Sequence, residues 1–389
     1  MAYIGKQPAA VALTSSDITD GIISTAKIAA DAVTKAKLED AIDAFNYKNI
    51  IINGDMQVSQ RNTTKASVTT AGYYTIDRMQ WIADYGTVTL SQDTDVPTGQ
   101  GFATSLKMDC TTADASPAAA DYNILAQIIE GQNVQYLKKG TSSAVPLTLS
   151  FWVKSVLTGT YIAELYEINN TRQISKSYTV DSSNTWEKKE ITFAGDTTGA
   201  FTSNNGASLF VNLWLSAGTD YTSGTLSTSW GAVTNANRAV GQVNLANSTS
   251  NNFWITGIQL EVGTVASNFE FLPFDVNLLR CQRYYYLHSS GNGGAGSMTC
   301  YYSSSQLGGE IHFPCTMRTS PTLVCVSGTD YYTNFRNGTT DGFDDVITGA
   351  SYDHQNSWYA TDGVSGTAGH AGFYRNGNVA SRVSFKAEL

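Results

Sequence analysis

Apolar residues in the first 45 positions of the chain recur at every fifth residue. The repeating positions are Leu13, Ile18, Ile23, Ile28, Val33 and Leu38. A helix buries side chains that lie three or four positions apart, and a strand presents alternate residues on one face, so a step of five fits neither element. Residues 1–45 are therefore predicted to form an extended stalk that buries these side chains against further copies of the chain. A disordered arm is the alternative, since the segment is rich in small polar residues.

From residue 46 to about residue 275 the apolar pattern changes to short runs that alternate with period two, which is typical of half-buried strands. The predicted strands are residues 87–90, 147–154, 161–166, 186–193, 208–215 and 253–262. Residues 49–52 form an apolar run before Asn53-Gly54 and predict one more strand that ends in a turn. Many short strands joined by Gly- and Asn-rich links indicate an antiparallel sandwich, and the long connections favour a jelly roll.

Residues 276–389 repeat this pattern on a smaller scale. The predicted strands are residues 298–302, 309–313, 322–326 and 380–389, after a short helix near residue 280. The expected fold class is all-β, with a stalk at 1–45, a jelly-roll sandwich at 46–275 and a smaller β-sandwich tip at 276–389.

Composition narrows the partners of this chain. Charged residues make up 15% of the 389 positions and the net charge is −9, with no basic run. Direct binding to nucleic acid or to an anionic membrane is therefore not expected. The start of the chain lacks the apolar core of a signal peptide, and no apolar stretch is long enough to cross a membrane. Five cysteines without C-x-x-C spacing are expected to be mostly reduced and buried, which fits assembly in a cytoplasm. One or two disulfides among the four cysteines after residue 280 are the alternative.

Several strings along the chain resemble phage tail fibre proteins and related prophage proteins. They are residues 52–61, 74–81, 258–263, 269–274, 281–285 and 312–322. The opening, residues 3–8, together with residues 17–22, is similar to the amino termini of marine phage fibres. The resemblance covers most of the chain, and its motifs occur in the expected order.

This resemblance implies a homotrimer that is part of the virion and is assembled in the cytoplasm of the bacterial host. The amino terminus would attach to a tail adaptor, nozzle or baseplate protein. The central jelly roll would be similar to carbohydrate-binding modules, and the tip would bind a host surface polysaccharide. Neither a cofactor nor a metal is implied.

Aromatic residues beside polar hydrogen-bonding groups suit sugars, which offer apolar ring faces and hydroxyl edges. Three stretches of the tip have this composition and lack evident strand alternation: residues 330–337, 352–359 and 373–376. The candidate glycan-binding residues are Tyr331, Tyr332, Arg336, Asp353, Trp358, Tyr359 and Tyr374. Packing of these aromatics between chains or within the sandwich is the alternative. The tryptophans of the jelly roll fall in strand patterns and are expected in its core, with Trp230 as the exception.

Evidence for catalysis in the sequence is weak. Asp341, Asp344 and Asp345 lie close together and are the carboxylates a glycosidase would need, but acids in a Gly-rich loop more often face solvent or bind a cation. The histidines lack metal-binding spacing. Asn53-Gly54-Asp55 reads as a turn, with a calcium site as the alternative. The leading interpretation is a non-catalytic tail fibre; the alternatives are a tailspike-type depolymerase and a structural connector without receptor contact.

Overall fold

The computed structural model describes residues 47–389, so the predicted stalk and its repeat lie outside the described residues and stay a prediction. Lys48–Leu389 forms one compact unit. It is almost entirely β, as the sequence predicts, and all strand pairs in this unit are antiparallel.

Twelve strands build the first sandwich. They are β1 (Thr64–Val68), β2 (Gln80–Ala83), β3 (Thr87–Asp93), β4 (Ser105–Thr112), β5 (Tyr122–Glu130), β6 (Leu147–Ser155), β7 (Gly159–Glu167), β8 (Arg172–Val180), β9 (Glu187–Phe193), β10 (Ala207–Ala217), β11 (Gly231–Ala232) and β12 (Asn252–Val262). One six-stranded sheet has the order β1-β3-β4-β12-β6-β9, and the other has the order β11-β8-β7-β10-β5-β2. We call them the first and second sheets. Their inward side chains form a single large core.

The helices are short. They are α1 (Thr219–Thr222), α2 (Phe274–Gln282) and the 3₁₀ turns Gly131–Asn133, Gln135–Leu137, Asn235–Asn237 and Leu245–Asn247. The segment that holds α1 and Asn235–Asn237 packs on the outer side of the second sheet, where Trp214 and Ala239 belong to a separate buried cluster. Helix α2 leads into the tip.

Ten strands build the tip. They are β13 (Tyr285–Ser290), β14 (Ala295–Ser303), β15 (Gln306–His312), β16 (Thr322–Val326), β17 (Tyr332–Arg336), β18 (Thr339–Phe343), β19 (Ile347–Ser351), β20 (Gln355–Ala360), β21 (Ala371–Asn376) and β22 (Arg382–Lys386). A three-stranded sheet has the order β13-β22-β16, and a seven-stranded sheet has the order β18-β17-β21-β14-β15-β20-β19. The tip has a core of its own.

The strand predicted at residues 49–52 is not formed. Instead, the Asn49 side chain bridges to β12 by donating to the Ile258 carbonyl at 3.0 Å and accepting from the Leu260 amide at 3.1 Å. The predicted turn that follows these residues is present, and the Asn53 side chain stabilises it by accepting a hydrogen bond from the Val58 amide at 2.9 Å. An asparagine side chain can replace ladder hydrogen bonds in this way, so an apolar run beside it does not need a strand partner.

The prediction that the jelly-roll tryptophans lie in the core is wrong for two residues. Trp81 and Trp214 are buried, but Trp152 and Trp186 are only half-buried. Trp230, the expected exception, is also half-buried; it packs against the core and donates to the Ala194 carbonyl at 2.6 Å. All five cysteines are free thiols; Cys110 and Cys281 are buried, Cys315 and Cys325 are half-buried, and Cys300 is exposed.

Buried charges join the jelly roll to the tip. Arg61 and Arg78 of the jelly roll both pair with Glu388 near the end of the chain. Glu130, at the end of β5, accepts two hydrogen bonds from the Arg283 guanidinium at 2.7 and 2.8 Å. Several of these residues belong to the strings that resemble tail fibres, so the structure assigns those strings a role in holding the two sandwiches together.

Candidate functional site

The seven-stranded sheet of the tip has one face on the core and one face in solvent. Along β17, Tyr332 and Asn334 are buried, whereas Phe335 is partly exposed. Along β21, Tyr374 is buried and Phe373 is exposed. Successive side chains of a strand point to opposite faces, so parity alone decides which aromatic residues reach solvent.

The strand register brings apolar residues together on the solvent face. Phe373 lies opposite Phe335 on one side and opposite Met298 on the other. The rings of Phe335 and Phe373 are stacked, with centroids 5.3 Å apart and planes inclined by 14°. The guanidinium carbon of Arg375 lies 4.3 Å from the centroid of the Phe335 ring. The result is a stacked aromatic pair with a cation over the Phe335 ring.

Exposure of this surface is high for apolar side chains. Met298 is 72% exposed, Tyr302 is 84% exposed and Phe373 is 52% exposed. We name the set the tip face; it comprises Met298, Tyr302, Phe335, Tyr359, Phe373 and Arg375. Soluble proteins rarely expose contiguous apolar surface of this kind, and where they do, it often marks a binding site.

Three of the residues predicted to bind glycan are instead core residues. Tyr332, Trp358 and Tyr374 are at most 2% exposed. Each contacts the Phe343 ring, at centroid distances of 5.4, 6.2 and 5.8 Å. The stretches that hold them are strands and not loops, so their inward parity places the rings in the core. These residues cannot present a ring face to a sugar in this fold.

The other predicted residues separate into different surroundings. Tyr359 of β20 lies on the tip face, opposite Ile347 of β19. Tyr331 is partly buried and packs against the core of the tip. Asp353 lies in the turn before β20, where its carboxylate is 2.9 Å from Nδ1 of His354. The structure therefore does not bring the predicted set together as one site.

Arg336 and Asp341 form an ion pair at one edge of the sheet. The guanidinium Nε is 2.5 Å from Oδ2 of Asp341, and the Tyr301 hydroxyl donates to the same oxygen at 2.8 Å. Arg336 Nη1 also lies 3.0 Å from Nδ1 of His370. The Asp341 carboxylate is thus engaged by the Arg336 and Tyr301 side chains of the tip itself.

The two neighbouring acids differ from Asp341. Asp344 accepts a hydrogen bond from the Asp330 amide at 2.9 Å. Burial raises the pKa of Asp345, and the nearby carboxylates of Asp362 and Asp344 raise it further. Within residues 47–389, no group of three or more His, Cys, Asp or Glu side chains is arranged to hold a metal ion. None of the helices in that range is long and apolar enough to span a membrane.

The residues predicted from the sequence to bind glycan did not include Met298 and Tyr302 of the tip face. In the strands that carry Phe335 and Phe373, the prediction named the buried Tyr332 and Tyr374 instead of the phenylalanines. The signal that could have found them is period-two parity. In Tyr332–Arg336 and Ala371–Asn376 the tyrosines and the phenylalanines are an odd number of residues apart, so they point to opposite faces. Which parity faces solvent depends on the partner sheet, and this information is not local.

No family model and no curated protein matches the sequence. Solved structures overlap with part of the chain. The enzymatically active domain of tailspike protein 4 from bacteriophage CBA120 is 15% identical over 56% of this chain and 22% of that chain, with a TM-score of 0.30. TmCBM61 in complex with β-1,4-galactotriose is 10% identical over 56% of this chain and 99% of that chain, with a TM-score of 0.28.

The family 11 carbohydrate-binding module of a cellulosomal cellulase of Clostridium thermocellum is 13% identical over 52% of this chain and 99% of that chain, with a TM-score of 0.25. The present chain therefore spans about a fifth of the tailspike chain and nearly all of the two carbohydrate-binding modules.

Proposed function

We propose that this protein is a phage tail fibre protein that attaches the virion to a glycan of the host cell surface through the tip face. The observation that carries the proposal is the exposed, stacked pair Phe335 and Phe373 beside Arg375. Exposed aromatic rings bind the apolar faces of sugars, and charged groups beside the rings bind hydroxyls.

Polar side chains flank the apolar part of the tip face. Glu310 and His312 are exposed on β15, next to the strand that carries Met298. Together with Arg375 they supply both donors and acceptors along the same side of the sheet. This combination suits a neutral or mixed-charge glycan better than it suits a purely apolar partner.

The remaining parts of the proposal follow the resemblance of the sequence to tail fibres. The chain acts as a homotrimer, residues 1–45 form the virion-proximal stalk, and a tail adaptor, nozzle or baseplate protein holds its amino terminus. Each tip binds weakly, and several tips per particle raise the overall affinity through effective concentration. Static light scattering of the full chain tests the trimer, and a monomeric mass contradicts it.

The binding test compares the full-length protein with a Phe373→Ala variant. Surface polysaccharides and lipopolysaccharides purified from candidate hosts are titrated, and the dissociation constant is measured by calorimetry. Loss of one aromatic platform is expected to weaken binding about three- to tenfold. Val265→Ala, an equally exposed change outside the tip face, is the control and leaves binding unchanged. Unchanged affinity in a folded Phe373→Ala variant would contradict glycan binding by the tip face.

A depolymerase is the second function to be tested. The engagement of Asp341 by Arg336 and Tyr301 supports the binding-only interpretation, because a catalytic carboxylate must reach the substrate. Incubation of the protein with the bound polysaccharide should release no reducing ends. Release that Asp341→Asn or Asp345→Asn abolishes would establish the depolymerase instead.

A structural connector without receptor contact is the third alternative. Deletion of residues 276–389 would test it poorly, since the deletion removes Glu388 and Arg283 and leaves Arg78 and Glu130 buried without the charged groups that they pair with. The sharper test is adsorption by virions that carry Phe373→Ala. Normal adsorption with that variant would show that the tip face makes no receptor contact that adsorption requires.

A further inference from the structure

The outer face of the first sheet of the jelly roll carries three tryptophans in register. Trp254 of β12 lies opposite Lys154 of β6 on one side and opposite Lys107 of β4 on the other. Trp152 of β6 lies opposite Thr256 of β12. Trp186 directly precedes β9, whose first residue pairs with Val153. Directly opposed residues share a face, so these side chains form one continuous surface.

This surface points away from the core. The neighbours of the tryptophans along the same strands, Phe151, Val153 and Phe253, are buried in the main core at 0–1% exposure. Trp254 is 8% exposed and forms the floor, whereas Trp152 and Trp186 are half-buried and reach solvent. We name this surface the tryptophan face; it comprises Lys107, Trp152, Lys154, Trp186 and Trp254.

Carboxylates hold the indole rings in place. The Trp186 indole N–H donates to Asp95 at 2.9 Å, and the Trp254 indole N–H donates to Asp93 at 3.2 Å. Lys154 pairs with the same Asp95 and lies 4.2 Å from the centroid of the Trp254 ring. Rings that are locked before a ligand arrives lose little conformational entropy on binding.

The shape and charge of the tryptophan face select its ligand. Adjacent strands lie about 4.8 Å apart, so the four strands from β9 to β4 span about 14 Å. The Asp93 and Asp95 carboxylates each accept two donors within the protein, and their remaining lone pairs can accept from hydroxyls. Lys107 supplies N–H donors 5.2 Å from the Trp254 ring. Two aspartates beside the rings disfavour a polyanion such as nucleic acid. A chain of hydroxyl-bearing sugar rings meets all of these conditions.

We propose that the tryptophan face is a glycan-binding site separate from the tip face, and that it takes an extended polysaccharide strand across β9, β6, β12 and β4. Trp152 and Trp186 stack on sugar rings, Trp254 forms the floor, and Lys107 with Asp93 and Asp95 hydrogen-bonds the hydroxyls. The protein then has two binding faces in each chain.

Native affinity electrophoresis of the full-length protein tests this proposal. The gels contain hydroxyethyl cellulose, galactan or xylan, and alginate serves as a polyanionic comparison that should bind more weakly. The wild type is expected to be retarded by at least one of the first three polymers. Trp152→Ala combined with Trp186→Ala should weaken that interaction about tenfold, since two rings are lost. Trp152→Ala alone keeps the Asp95 contacts and should give a smaller loss.

Matched variants separate the outcomes. Tyr136→Ala removes an exposed aromatic ring of the jelly roll outside the tryptophan face and should bind as the wild type does. Phe373→Ala should also keep this retardation, so the proposal stands or falls independently of the tip. Absence of retardation on hydroxyethyl cellulose, galactan and xylan, or equal retardation of the folded double variant, overturns it. A change of oligomeric mass in the double variant would instead make the face a contact between copies and also overturns it.

Discussion

Arg78 and Glu388 form a buried ion pair, although 310 residues separate them in the chain. Their side chains are 1% and 3% exposed. Arg78 also lies over the Tyr284 ring, with its guanidinium carbon 3.6 Å from the ring centroid, and donates to the Ile128 carbonyl. The last residues of the tip are therefore anchored in the jelly roll, and folding of the two sandwiches is linked.

Substitution of Glu388 tests this link. Glu388→Gln leaves Arg78 without a carboxylate partner in a dry environment and leaves Arg61 with Asp77 alone. Loss of one partner of a buried ion pair costs about 3–5 kcal/mol. Urea unfolding at neutral pH should show this loss in the free energy of unfolding. Glu190→Gln breaks an exposed pair with Lys188 and should cost less than about 1 kcal/mol. Equal effects of the two substitutions would contradict a structural role for Glu388.

The same junction should make stability depend on pH. Asp77 is fully buried, and burial raises its pKa to about 7, although Arg61 and Gln60 oppose the shift. Between the ordinary pKa of an aspartate and pH 7, Asp77 keeps its proton in the folded protein, whereas the unfolded chain has released it. The free energy of unfolding therefore falls as the pH rises through this window.

The contribution of Asp77 is isolated by comparing wild type with Asp77→Asn, since other titrating groups cancel in the difference. The variant should gain stability relative to the wild type from pH 5 to pH 7.5, by up to about 1.4 kcal/mol per pH unit. Asp181→Asn, at an exposed position, should show no such trend. A difference that is independent of pH across this range would contradict the raised pKa.

A small residue in β14 is required by the core of the tip. A Cβ at Gly296 would lie 2.2 Å from ring atoms of Tyr374, which is fully buried. Gly296→Ala should therefore destabilise the protein by about 1–3 kcal/mol through overpacking. Gly231→Ala places its methyl group in open space and serves as the control in thermal unfolding. A neutral Gly296→Ala variant would show that Tyr374 can move.

Thiol reactivity should separate the five cysteines. Cys300 is exposed and is expected to react rapidly with a thiol reagent in the folded protein, and Cys300→Ser should remove this fast phase. Cys281 is fully buried, burial raises its pKa, and it should react only after unfolding. In denaturant without reductant, all five thiols should titrate. A total below five would reveal a disulfide.

Much of the secondary structure could be predicted from the sequence. Strands such as Leu147–Ser155 and Asn252–Val262 have long alternating runs, and the structure confirms them. The strand predicted at residues 49–52 does not form, because the Asn49 side chain supplies hydrogen bonds that a neighbouring strand would otherwise provide. Strands Tyr332–Arg336 and Ala371–Asn376 were missed because their polar and aromatic residues mask the alternation.

The candidate sites were less predictable than the strands. The sequence placed aromatic residues in the correct stretches of the tip but not on the correct face, and Tyr374 rather than Phe373 was expected to meet the glycan. In the jelly roll, Trp152 was predicted to lie in the core, because the alternation of its strand does not show which face is buried. Parity tells which residues share a face, but only the packed partner sheet tells which face is dry.

The sequence by itself determined the β class of the described part, through local alternation, and its low charge content, with 15% charged residues and a net charge of −9. Only the tertiary structure decided which rings are exposed and that Glu388 reaches Arg78. These depend on contacts between residues far apart in the chain. Such contacts form when whole sheets pack, because burial of one face on another is a property of the pair and not of either strand.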